Sequence, residues 1–362
     1  MTGCFFRADT SDALHLEISP YDIQVLATYV HNIDPVIFSI SDAIKLRWYG
    51  MAYLLAFVVG FFILKKLADK KLWVLPGEKT SDFITLAAIF GVFLGGRIGN
   101  IIFYQWDDFM ASPSMIFKVW EGGMASHGGI LGIMIFTLIY SRMKKVSWTG
   151  LGDGISVVAP LGIMFGRIAN FINGELYGRI DRTHSWAMKF PLSLGEDASP
   201  AELRSLEAQL KPYDITVFHQ TENIQTGEIF NHIHYNEITA GVRQSEQVRE
   251  AVSQFIEPRY PSQLFQAAGE GLCLFLILFI TRICFKRLPH GILTGMFFFF
   301  YAIFRITMEN FRQQETADVT FLGTTFTMGQ FLSLFMIVIG LGFIIQAMMR
   351  PRYLDGFEGN KR

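Results

Sequence analysis

Arg167, Arg305 and Glu309 lie inside otherwise apolar runs. A charge in hydrocarbon is costly enough that each is a candidate functional residue. Arg167 stands three residues before Asn170. Arg305 stands four before Glu309, with Tyr301 and Arg312 on the same helical stripe. His127 opens another apolar run and is followed by Gly128-Gly129. Two guanidinium groups on different segments suit an anion such as phosphate, which they can clamp through paired hydrogen bonds. The plainer reading of Arg305 and Glu309 alone is a lock between helices. A second arginine and a histidine in comparable places argue for chemistry.

The elements that must position these residues are membrane spans. The 362-residue chain is 51% hydrophobic and 17% charged, with a mean hydropathy of +0.32; soluble proteins carry about a quarter charged residues. Runs long enough to cross the hydrocarbon layer fall at 48–64, 82–104, 126–140, 154–173, 263–285, 292–310 and 328–349. The expected fold is an all-α polytopic membrane protein with seven transmembrane helices and a small α+β extracytoplasmic head. Its parts are an N-terminal arm at 1–47, spans at 48–173, the head at 174–262, spans at 263–349 and a tail at 350–362. Gly91, Gly95 and Gly99, Gly128 and Gly132, and Gly162 and Gly166 recur every four residues, which predicts smooth faces for close helix contact. Phe297 to Phe300 are expected to face lipid.

Lys65, Lys66, Lys70, Lys71, Lys79, Arg142, Lys144, Lys145, Arg282, Lys286, Arg287, Arg350 and Arg352 all fall on one side of this arrangement. That bias predicts an extracytoplasmic amino terminus and a cytoplasmic carboxyl terminus. Residues 1–47 lack the basic start and unbroken apolar core of a cleaved signal peptide. In the head, Ser199-Pro200-Ala201-Glu202 reads as a capping box. Residues 229–235 alternate as a strand, and Val248, Val252, Phe255 and Ile256 mark an amphipathic helix. A formal net charge of −1 argues against a nucleic-acid partner. Cys4, Cys273 and Cys284 make neither a disulfide framework nor a metal set, so no metal and no cofactor are expected. Asp153, at the start of the fourth run, reads as a helix cap.

Residues 166–179, Gly166-Arg167-Ile168-Ala169-Asn170-Phe171-Ile172-Asn173-Gly174-Glu175-Leu176-Tyr177-Gly178-Arg179, resemble the signature of the bacterial prolipoprotein diacylglyceryl transferases. Further matches follow in order: Asp34-Pro35-Val36-Ile37-Phe38, Arg47-Trp48-Tyr49-Gly50, Gly95-Gly96-Arg97-Ile98-Gly99, Gly122-Gly123-Met124, His127-Gly128-Gly129, Pro261-Ser262-Gln263-Leu264, Phe304-Arg305 through Glu309 to Arg312-Gln313, and Met328-Gly329-Gln330. The stretch near 192–258 looks private to this protein. The resemblance implies a bacterial inner-membrane enzyme that moves the diacylglyceryl group of phosphatidylglycerol to the lipobox cysteine thiol of a preprolipoprotein, releasing glycerol 1-phosphate. Such a reaction needs an anion clamp and a base. It implies Arg167 and Arg305 at the phosphate, Asn170 and Tyr49 as donors to the headgroup, and Gly178 as a point of close approach. His127 is the candidate base, with Glu175 or Glu309 as alternatives or as residues that orient an arginine. Two departures limit the carry-over: Tyr260 stands where many members have His, and Gln314-Glu315 replaces the usual Pro-Asp. A membrane anion transporter or channel is the alternative for buried arginines, but the motif is long and no inverted repeat is evident.

Overall fold

A computed structural model describes residues 28–39, 41, 45–118, 123–222, 229–313, 319–321 and 324–354. Cys4 and Gln314-Glu315 lie outside the described residues. The chain divides into two compact units, residues 33–179 with 261–362, and residues 1–32 with 180–260.

The larger unit is built on seven apolar helices: α1 Trp48–Asp69, α2 Gly77–Tyr104, α3 Ser126–Lys144, α4 Trp148–Asn173, α5 Ser262–Cys284, α6 Ile292–Met308 and α7 Met328–Met349. Among the described residues, five are long and apolar enough to cross a membrane: α1, α2, α4, α5 and α7. The expectation of seven is met in this strict sense for five only. α6 has 17 residues, about 26 Å of helix against about 30 Å of hydrocarbon. α3 has 19, but Ser126-His127-Gly128-Gly129 at its start and Arg142 and Lys144 at its end dilute its hydropathy. Leu54, Phe62, Phe103, Ile130 and Val338 are exposed. An apolar surface on this scale needs a hydrocarbon surrounding.

α6 packs along α7, α1 along α4 and α2 along α3. Where no solvent drives apolar surfaces together, close approach and dispersion must hold helices. A Cβ on Gly99 would overlap the Gly128 Cα, and one on Gly128 would sit 2.5 Å from the Gly95 carbonyl oxygen. Replacing Gly99 by alanine should therefore force the α2–α3 pair apart and cost about 1–3 kcal/mol, read as a lowered Tm in detergent. Gly342→Ala, where nothing lies within 4 Å, should leave Tm unchanged or raised. The Gly162–Gly166 pair differs from expectation: a Cβ on Gly162 would meet only Ala56, at 4.0 Å, and one on Gly166 would meet nothing within 4 Å. Phe297 to Phe300 are half-buried, not wholly lipid-facing. Phe298 stacks on Phe343 of α7 with centroids 6.0 Å apart, which draws this run into the α6–α7 seam.

The smaller unit is α+β. Ser199 and Glu202 form the expected reciprocal capping box on the helix Pro200–Leu210. Leu206 and Leu210 join Val217, Ile238, Val242, Val248 and Val252 in a fully buried core. The strand Ile229–Ile233 pairs antiparallel with Phe218–Glu222. It ends two residues earlier than its alternation suggests, because the His234 carbonyl accepts from the Glu237 and Ile238 amides and starts the helix Tyr235–Gln244. Arg259, 2% exposed, is paired with Asp197 at 2.5 Å. Thr183 Oγ1 and His184 Nδ1 meet the Asp181 carboxylate at 2.7 and 3.0 Å. Burial would raise the Asp181 pKa, but these contacts outweigh it and hold the carboxyl below its ordinary value.

Candidate active site

The arginines come together through a residue that the sequence reading did not single out. Glu270 lies in α5 between Gly269 and Gly271, within a seven-residue π-helical turn, Ala267–Cys273. Such wide turns favour functional sites because they re-aim the side chains of a helix. The flanking glycines let α5 touch its neighbours. A Cβ on Gly271 would lie 2.5 Å from the Met164 Cβ of α4, and one on Gly269 would lie 2.9 Å from the Met308 Cε of α6. So seated, the fully buried Glu270 carboxylate faces Arg167 Nη2 at 3.7 Å and Arg305 Nη1 at 3.6 Å. These separations are ionic contacts longer than direct hydrogen bonds. The guanidinium groups are held by charge while keeping donors for another acceptor.

Arg305 also pairs with Glu309 one turn on, at 2.9 Å. Thr327 Oγ1 donates to Glu309 Oε1 at 3.1 Å, while Thr327 and Gln330 form a capping box at the start of α7. The carboxylate that holds Arg305 is thereby fixed to the next helix. A Cβ on Gly329 would lie 2.9 Å from Arg305 Nη2, so this position leaves room for the ion pair. The described ion pairs thus set two guanidinium groups, Arg167 and Arg305, against two carboxylates, Glu270 and Glu309. Side-chain exposures of 20% at Arg167 and 12% at Arg305 leave both arginines partly accessible.

The signature segment folds as the end of α4 and the loop after it. Gly174, at φ +73°, closes the helix, with its amide donating to the Asn170 and Phe171 carbonyls. Glu175 Oε1 then accepts from the Asn170 amide at 2.8 Å and from the Asn173 amide at 3.1 Å. Gln263 Nε2 donates to the Glu175 carbonyl at 2.6 Å, and Ser262 Oγ to the Leu176 carbonyl at 3.1 Å. Leu176 is held at φ +55°, a strained conformation for a leucine that its surroundings must impose. Gly178 bridges backbone to backbone with Arg312, and the Arg179 amide donates to the Phe311 carbonyl. Glu175 and Asn170 therefore act first as a clasp that sets this loop beside the end of α6. Gly178 is a point of close approach, made to Arg312.

The other expected site residues lie apart from the ion cluster in role. His127 is exposed at the start of α3. Its neighbour Gly128 offers no open space, because α2 fills it. Tyr49, half-buried in α1, packs edge-on against Tyr53 with centroids 5.3 Å apart. Arg97, buried in α2, donates to the carbonyls of Gly123, Met115 and Lys118 and so secures the connection before α3. Asp153 caps a different helix from the expected one. Ser147 caps α4, whereas Asp153 accepts from the Gly291 amide at 2.7 Å and the Thr294 amide and hydroxyl at 2.8 and 2.9 Å, at the start of α6. In the smaller unit, the Tyr260 ring lies 6.0 Å from that of His184.

Fold and cluster together define a polytopic helical membrane protein that holds partly accessible arginines against carboxylates in its apolar interior, an arrangement suited to an anionic group. The chain belongs to the prolipoprotein diacylglyceryl transferase family, whose model matches residues 35–346. Curated relatives bear the name phosphatidylglycerol–prolipoprotein diacylglyceryl transferase. One from Bdellovibrio bacteriovorus is 38% identical over 334 residues, covering 86% of this chain and 92% of the relative. One from Neisseria gonorrhoeae is 37% identical, covering 87% and 96%. One from Shigella boydii is 36% identical, covering 90% and 97%.

Proposed function

We propose that this protein transfers the diacylglyceryl group of phosphatidylglycerol to the lipobox cysteine of a preprolipoprotein, the first step of lipoprotein maturation. The observation that carries the reading is the Arg167–Glu270–Arg305–Glu309 cluster in a member of this family. In the reaction the thiol loses its proton, sulfur bonds to the glycerol carbon, and the carbon–oxygen bond to phosphate breaks. The products are a thioether and glycerol 1-phosphate. Arg167 and Arg305 bind the phosphate and stabilise the charge that grows on it as it leaves. Glu270 and Glu309 keep the two guanidinium groups aimed. Asn170 and Glu175 shape the adjacent loop, Gly178 sets its approach to Arg312, and Tyr49 donates to the headgroup. The test is release of glycerol phosphate from phosphatidylglycerol by purified protein, dependent on a lipobox peptide. Release without peptide, or peptide left unmodified, would overturn the reading.

His127 takes the thiol proton in this scheme; its exposure at the start of α3 supports access by a peptide. His127→Gln should then abolish most transfer at pH 7. Raising the pH towards the thiol pKa of about 8.5 should recover part of the rate, because the substrate ionises unaided. A near-normal rate with an unchanged pH profile would transfer the role to Glu309 or Glu175.

The protein sits in the bacterial inner membrane with seven spans, α3 and α6 crossing with their neighbours. Its amino terminus and the smaller unit are extracytoplasmic and its carboxyl terminus is cytoplasmic. The lysine and arginine bias supports this orientation. A reporter active only in the cytoplasm should work after Arg362 and fail within 195–255; the reverse pattern would invert the arrangement.

A further inference from the structure

A cavity of about 500 Å³ lies in the larger unit where the end of α3, the start of α4 and the end of α7 meet. Arg142, Lys145, Arg350 and Arg352 line it, and among the described lining residues none is acidic. His290 adds a half-buried imidazole, its backbone amide fixed to the Arg352 carbonyl at 2.8 Å. Apolar side chains complete much of the lining: Leu138, Phe343 and Ala347, with Trp148 and its ring 6.3 Å from that of Phe343.

Helix polarity alone does not account for this gathering of charge. The ends of α3 and α7 each carry roughly half a negative charge, so together they offset about one of four cations. A topology signal needs lysine and arginine near the span ends, but not drawn around one cavity between three helices. The remaining positive charge calls for an anion, and Trp148, at the positive end of the α4 dipole, is among the lining residues. A lining of apolar and cationic side chains together fits an amphiphile better than a free ion.

We propose that this cavity binds the phosphate headgroup of an anionic phospholipid, as a site separate from the arginine–glutamate cluster, with the lipid's glycerol and upper acyl carbons against Trp148 and Phe343. Basic pockets between membrane helices recognise phosphate headgroups in this way. The binding itself does not depend on the proposed reaction; the orientation read above assigns it to the cytoplasmic leaflet.

The test uses full-length protein in neutral detergent, titrated with phosphatidic acid, phosphatidylcholine or inorganic phosphate, with thermal stability as the readout. Phosphatidic acid should raise Tm and phosphatidylcholine should not. R142Q/R352Q should weaken the apparent affinity for phosphatidic acid about 30-fold, the weight of two basic contacts at a headgroup. R142K/R352K should restore most of it, and Arg305→Gln should leave it in place. Should the double glutamine variant fail to insert, K145Q/R350Q carries the same comparison. Equal binding by wild type and the glutamine variants would overturn the site. Loss of binding in Arg305→Gln alone would assign the lipid to the arginine–glutamate cluster. Stabilisation by inorganic phosphate equal to that by phosphatidic acid would overturn the lipid assignment.

Discussion

Arg305→Ala and Arg167→Ala should each lower diacylglyceryl transfer at least about 100-fold, the scale of removing a charge-assisted contact at a developing anion. The loss should appear chiefly in kcat/KM, because the proposed mechanism has both guanidinium groups hold the departing phosphate. Arg305 has the additional role of joining Glu270 to Glu309, so its removal also leaves two buried carboxylates without their shared partner. Arg305→Lys should restore only part of the rate: an ammonium carries the charge but not the planar fork that spans two acceptors. The measurement is transfer to a lipobox peptide by correctly inserted protein. Near-normal turnover of either alanine variant would remove the clamp from the mechanism.

Glu270→Gln should be comparably damaging, although the residue need not touch the substrate. Its carboxylate is the sole negative partner of Arg167 among the described ion pairs and one of two for Arg305. Neutralising it leaves the repulsion between two guanidinium groups uncompensated, in a setting where breaking a buried pair costs about 3–5 kcal/mol. We expect about a 100-fold loss of transfer and a lowered Tm. Glu270→Asp, which keeps the charge on a shorter arm, should recover part of both. Because the residues act as a unit, Arg305→Ala introduced into Glu270→Gln should cost far less than it does alone. Fully additive losses would show that Glu270 does not aim the arginines.

Arg167, Arg305 and Glu309 were legible in the sequence because a charge in an apolar run stands out by its cost. Glu270 obeys the same rule and was visible as a lone carboxylate between two glycines. Its meaning was not, because it depends on contacts from α5 to α4 and α6 and on a π-helical turn that a fixed 3.6-residue period misses. The capping boxes at Ser199 and Thr327 are local, four-residue patterns; the first was readable from spacing alone. The clasp of Asn170 and Asn173 on Glu175 spans only a few residues, yet only folded geometry shows that it occupies the Asn170 amide expected at a headgroup. Asp153 was legible as a cap, but its partner helix was not, for the choice between α4 and α6 is a matter of tertiary contact.

That last contact also orders events during synthesis. The groups that Asp153 holds lie 138 and 141 residues further along the chain, roughly seven to twenty-eight seconds of translation after Asp153 itself. Through that interval the carboxylate has no helix end to cap. Only when Gly291 and Thr294 arrive can α4 settle fully while α6, the shortest of the apolar helices, has its first turn fixed. The capping contact thus makes completion of the bundle wait for a helix late in the chain, and in a chain that stops before residue 291 the Asp153 carboxylate lacks the groups it caps.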